Sequence, residues 1–135
     1  MQELKQDRLN IKVPNDIVLA RKEVRTWAIE AGFSLLDQTK VITAASELAR
    51  NTLDYGGGGE MEIVLLEGEL ARKGLKLVFE DKGPGIANVE LALTDGFTSG
   101  GGLGMGLSGS KRLMNEFSLE TEPGKGTRVT IIKWK

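Results

Sequence analysis

Cysteine and histidine are both missing from the 135 residues. Without cysteine there is no disulfide frame and no thiol nucleophile, which fits a reducing cytoplasm. Without histidine the chain has no Ser-His-Asp triad, no histidine-ligated zinc and no phosphoacceptor histidine of its own. No apolar run approaches the roughly 20 residues that a membrane-spanning helix requires. The polar start, MQELKQDRLN, has no apolar core of the kind a secretory signal carries. An excess of one charge is also lacking: 18 basic against 19 acidic side chains leave a formal charge of -1. That balance gives no footprint for nucleic acid. A site for a polyanion would have to rest on local backbone dipoles and a metal.

What is present reads as one domain over residues 1–135, with 40% hydrophobic and 27% charged residues. Leu9, Ile11 and Val13 alternate with polar neighbours as in a strand, which Pro14 ends. Ile17, Ala20, Val24, Trp27, Ala28 and Ala31 recur at helical spacing, and Gly32 suits the helix end. A second helix starts at Ser34, with Asp37 three residues on as a variant capping box. Its apolar face runs through Val41, Ala45, Leu48 and Thr52 until four glycines, Gly56 to Gly59, stop it. Residues 61–66 and 75–79 form a hairpin, and a glycine-rich stretch with one short helical turn near 89–93 follows. A helix over 107–117 and a last hairpin, 118–121 with 127–134, close the chain. The order β-α-α-β-β-α-β-β points to an α+β two-layer sandwich, a mixed and largely antiparallel sheet with helices on one face.

Four short motifs carry the chemistry. Glu47 and Asn51 stand four apart on a helix and so share one face. Asn51 can offer a neutral oxygen to Mg²⁺, and Glu47 can orient or deprotonate an attacking hydroxyl. In Asp81-Lys82-Gly83-Pro84-Gly85 a carboxylate ends a strand, where it can accept from an amino group such as adenine N6. Gly83 and Gly85 let the backbone approach a flat base, although Pro-Gly also suits a plain type II turn. Gly102-Leu103-Gly104-Met105-Gly106 leads into a helix, whose free N–H groups and positive dipole end suit a triphosphate. Gly104-x-Gly106-x-x-Gly109 formally matches a dinucleotide fingerprint, but no strand precedes it and too little chain follows. Gly109-Ser110-Lys111 has the wrong order for a Walker P-loop. In Gly126-Thr127 the hydroxyl opens the last strand within reach of the base or Asp81.

Taken together, these motifs resemble the GHKL family (gyrase, Hsp90, histidine kinase, MutL), whose ATP-binding unit is the Bergerat fold. Glu47-Leu-Ala-Arg-Asn51 looks like its N-box, and Asp81 to Gly85 and Gly102 to Gly106 like its two glycine boxes. The resemblance implies ATP and Mg²⁺ as ligands, Mg²⁺ held by Asn51, a base or water-orienting role for Glu47, and adenine read by Asp81 with help from Thr127. It also implies a glycine lid over about 94–105. The chain is similar to the small stand-alone members, the serine/threonine kinases of bacterial partner-switching and stressosome pathways. Those phosphorylate STAS-domain scaffold or antagonist proteins and, once released, activate a PP2C-type phosphatase; neither nucleic acid nor membrane is a partner. The alternative is an anti-sigma factor, in which ATP gates partner exchange. Asn51-Thr52 with no histidine departs from the usual anti-sigma N-box.

Overall fold

Which side of the sheet is covered follows from where the charges fall along each strand. A computed structural model describes residues 1–86, Val89, Leu93 and 106–135. Strands β1 (Gln2–Ile11), β2 (Gly59–Glu67), β3 (Lys73–Asp81), β4 (Glu116–Glu122) and β5 (Gly126–Trp134) build one sheet in the order β1-β2-β3-β5-β4. Helices α1 (Pro14–Glu30) and α2 (Leu35–Asp54) connect β1 to β2, and α3 (Gly106–Leu113) precedes β4. On β2 and β3, Met61, Ile63, Leu65, Leu75, Leu77 and Phe79 point to one side, where they pack with Val24, Trp27, Val41 and Leu48 of the helices. Each such side chain contributes about 1.5–3 kcal/mol by leaving water. The other side carries ion pairs such as Arg8–Glu62 at 3.2 Å and Arg128–Glu80 at 3.6 Å, which hold it in solvent. A small apolar patch of Val64, Leu66 and Ile132 under Trp134 interrupts them.

All four pairings among the described strands are antiparallel, so the sheet is purely antiparallel rather than mixed. No helix among the described residues is long and apolar enough to cross a membrane.

Local signals explain both helices of the layer. The Asp16 carboxylate accepts from the N–H groups of Lys12 (2.8 Å) and Val13 (3.1 Å), which fixes the entry into α1 behind Pro14. Gly32 leaves it with φ +83°, a conformation that suits glycine. Ser34 caps α2 as its sequence implies, its hydroxyl accepting from the Asp37 N–H at 3.2 Å. At the far end Gly57 and Gly58 take φ +72° and +103°, and the Gly58 N–H donates to the Thr52 carbonyl.

Two expectations shift. The first strand reaches back to Gln2, because an exposed edge strand has no need of an apolar face, and Val13 lies outside it as the cap of α1. The last helix stops at Leu113, and Phe117 belongs to β4. The Asn115 N–H already donates to the Ile132 carbonyl, so the chain has entered the sheet by residue 115. Phe117 keeps helical spacing from Leu113 and Met114, yet the same side chain fits the core face of a strand equally well. Near the short turn expected at 89–93, the Leu93 N–H donates to the Val89 carbonyl at 3.0 Å. The lid segment 94–105 lies outside the described residues.

Candidate functional site

The C-terminal turns of α2, the end of β3 and the hairpin between β4 and β5 meet at one end of the sheet. Small residues allow the meeting. A Cβ at Gly56 would overlap the Asp81 carboxyl group, and one at Gly83 would lie 2.7 Å from the Gly56 Cα. A Cβ at Gly126, where φ is +93°, would overlap the Asp81 carbonyl. Gly85 (φ +75°) packs against the Glu122 backbone instead, so it shapes the hairpin that flanks the site.

Asp81 lies opposite Thr127 in the β3–β5 ladder. Its Oδ1 accepts from the Gly83 N–H at 2.9 Å. Burial pushes its carboxyl above the ordinary value of 3.8, and the charge of Glu80 adds to this; the amides of Gly83 and Thr127 pull it back down. Thr127 Oγ1 in turn stands 3.0 Å from Thr121 Oγ1 on β4. Asp81 and Thr127 thus come together as their motifs imply, with an acidic acceptor beside a hydroxyl.

One turn before Gly56, the Asn51 carbonyl accepts from the N–H groups of Tyr55 and Gly56. The side-chain Oδ1 of Asn51 is buried and has no hydrogen-bond partner among the described residues. An oxygen in that state costs free energy unless a ligand satisfies it, and a neutral amide oxygen is a suitable ligand for a hard divalent cation. No group of three or more acidic, histidine or cysteine side chains converges among the described residues. A cation held here would therefore draw most of its ligands from phosphate oxygens and water. Glu47, one turn further back, has a side chain 19% exposed and bridges Arg50 Nη1 at 2.7 Å.

Gly106 opens α3, and Leu107, Ser108 and Ser110 of that helix are buried. Gly102 and Gly104 lie outside the described residues. Two contributors escaped sequence reasoning. Gly56 reads there only as a helix stop, although its missing side chain is what admits Asp81. Thr121 gives no signal at all, since threonine is common in strands and its partners are distant in sequence.

The chain belongs to the family of histidine kinase-, DNA gyrase B- and HSP90-like ATPases, whose model matches residues 36–135. It is similar to the serine/threonine-protein kinase RsbT of Bacillus subtilis (strain 168), with 49% identity over 119 residues that cover 88% of this chain and 89% of that protein. An anti-sigma F factor of Clostridium kluyveri is 32% identical over 117 residues, covering 84% and 82%. Among solved structures, the RsbU and RsbW domains of Rv1364c from Mycobacterium tuberculosis superpose with a TM-score of 0.63 at 17% identity. That match covers 98% of this chain and 33% of the other. The SiaB–SiaC complex from Pseudomonas aeruginosa gives 0.56 at 12% identity, covering 98% and 91%. At such identities these two speak for the fold alone.

Proposed function

We propose that this protein is a cytoplasmic serine/threonine protein kinase of a partner-switching stress pathway. It uses ATP and Mg²⁺ to phosphorylate a STAS-domain scaffold or antagonist protein and, when released, activates a PP2C-type phosphatase. The observation that carries the reading is the buried Asn51 oxygen, unsatisfied among the described residues, one helical turn from Glu47 and one turn from the Gly56–Asp81 contact. The similarity to a relative named a serine/threonine-protein kinase supports it.

Mg²⁺-ATP supplies, when bound, a phosphoryl group whose charge is already partly neutralised. The residues of this chain divide the remaining work. Asp81 and Thr127 receive the base, and Gly83 and Gly126 let the backbone segments around that pair approach closely. Asn51 offers its amide oxygen to the cation. Glu47 accepts the proton of the incoming serine or threonine hydroxyl, and its bridge to Arg50 holds the carboxylate in one orientation. Positioning of this kind is most of what phosphoryl transfer asks of a protein.

The test is transfer of γ-labelled phosphate to a STAS-domain protein of the same host. Glu47→Gln keeps the shape of the side chain and removes the base, so it abolishes labelling while ATP affinity stays close to wild type. Retained labelling would remove Glu47 from the role. The second reading, an ATP-gated anti-sigma factor, draws on the relatives of that name. Nucleotide-dependent capture of a sigma factor, with no labelled protein, would select it.

A further inference from the structure

Thr121, a β4 residue outside all four motifs, makes three contacts with one hydroxyl. Its Oγ1 accepts from the Ile86 N–H at 2.9 Å, donates to the Gly126 carbonyl at 3.0 Å, and lies 3.0 Å from Thr127 Oγ1. A hydroxyl has one proton and two lone pairs. The Gly126 carbonyl can only accept, so it takes the Thr121 proton. The Ile86 amide can only donate, so it fills one lone pair. The remaining contact then has a single polarity: Thr127 donates to Thr121. The only proton on the Thr127 hydroxyl is thereby spent toward β4, and the face it turns to the base site carries lone pairs alone.

Beside it stands Asp81, across the β3–β5 ladder, whose ionised carboxylate is also an acceptor. We propose that Thr121 is a specificity-determining positioning residue: by fixing the direction of the Thr127 hydroxyl it makes the base-reading pair acceptor-only. A ligand edge that meets this pair must bring N–H donors. The 6-amino group of adenine has two. A 6-carbonyl purine such as hypoxanthine places an acceptor against two acceptors and leaves a desolvated oxygen unpaired, an arrangement that a polar site rejects strongly. The discrimination thus depends on a side chain that acts through its neighbour Thr127. The proposal rests on the nucleotide reading of this site.

The experiment measures the affinities of ATP and inosine triphosphate, each with Mg²⁺, by titration calorimetry on the whole chain. Thr121→Val keeps the shape and removes the acceptor that claims the Thr127 proton, which then turns outward and can donate to a 6-carbonyl. The preference for ATP over inosine triphosphate falls roughly tenfold, about the worth of one hydrogen bond that changes direction. Thr121→Ser restores the wild-type preference, because the hydroxyl is back. Thr121→Ala provides the same readout in a smaller side chain should the valine variant not fold. Equal weakening of both nucleotides in the folded Val or Ala variant would overturn the proposal, since a merely structural role moves both alike. An unchanged preference would overturn it too. If the wild type binds neither nucleotide, the nucleotide reading itself fails and takes the proposal with it.

Discussion

Replacing Asn51 by leucine gives the two states of the site opposite signs. The two side chains have the same number of heavy atoms and the same branching, so the packing around residue 51 changes little. The wild type holds the Asn51 Oδ1 buried without a hydrogen-bond partner among the described residues. A group in that condition costs about 1–3 kcal/mol, and an apolar replacement removes the cost. For 135 residues the entropy of unfolding is about 280 cal/mol/K, so the ligand-free midpoint of Asn51→Leu rises by about 4–11 °C. Binding goes the other way. In the wild type, Mg²⁺-ATP at a hundred times its dissociation constant adds about 2.7 kcal/mol to the stability. The variant loses the part of that gain which depends on Mg²⁺, while ATP in the presence of chelator acts on both proteins alike. Differential scanning calorimetry of the two proteins, ligand-free, with ATP and chelator, and with ATP and Mg²⁺, reads all of these. A ligand-free midpoint at or below that of the wild type would refute the argument from the unpaired oxygen. A Mg²⁺-dependent shift kept by the variant would refute the role of Asn51 toward the cation.

Asp81 and Gly56 allow three further checks. Burial raises the carboxyl of Asp81, so its contribution to stability is fully present below 3.8 and is lost as pH rises through the folded-state value. Asp81→Asn therefore matches or exceeds the wild-type thermal midpoint at neutral pH while losing about 1.5–3 kcal/mol of ATP binding, roughly 10–150-fold; a lower midpoint with intact affinity would contradict both halves. ATP affinity in the wild type declines on acidification through that same raised value, and in Asp81→Asn this component of the pH dependence disappears. Gly56→Ala builds a methyl group into the space of the Asp81 carboxyl group, so the protein stays folded by circular dichroism and ATP affinity falls by tenfold or more, the scale of one lost charge-assisted hydrogen bond. Unchanged affinity would mean that Asp81 has room to move aside without consequence.

Much of this architecture is legible along the chain wherever a local signal suffices. Ser34, Gly32 and the glycines after Asp54 mark helix ends through backbone geometry that needs no partner elsewhere in the fold. The apolar face through Val41, Ala45, Leu48 and Thr52 is buried as its spacing implies, because a helix turns its own sequence into a surface. The pairing of Glu47 with Asn51 on one helical face is local in the same way. Phe117 shows where this reach ends. Its spacing satisfies a helix and a strand alike, and the bonds from Asn115 to Ile132 and Trp134 decide between them.

The sequence by itself determined the order of elements, the two capped helices and the residue types of a nucleotide site, since each depends on neighbours within a turn or two of chain. Tertiary structure alone decided that Gly56 must lack a side chain because Asp81 arrives there from 25 positions away. It alone decided that Thr121 stands between Ile86, Gly126 and Thr127, and that the Asn51 oxygen is buried without a partner among the described residues. Steric exclusion, the direction of a hydroxyl proton and desolvation all arise between groups that the chain brings together only by folding. No local pattern of residues encodes them.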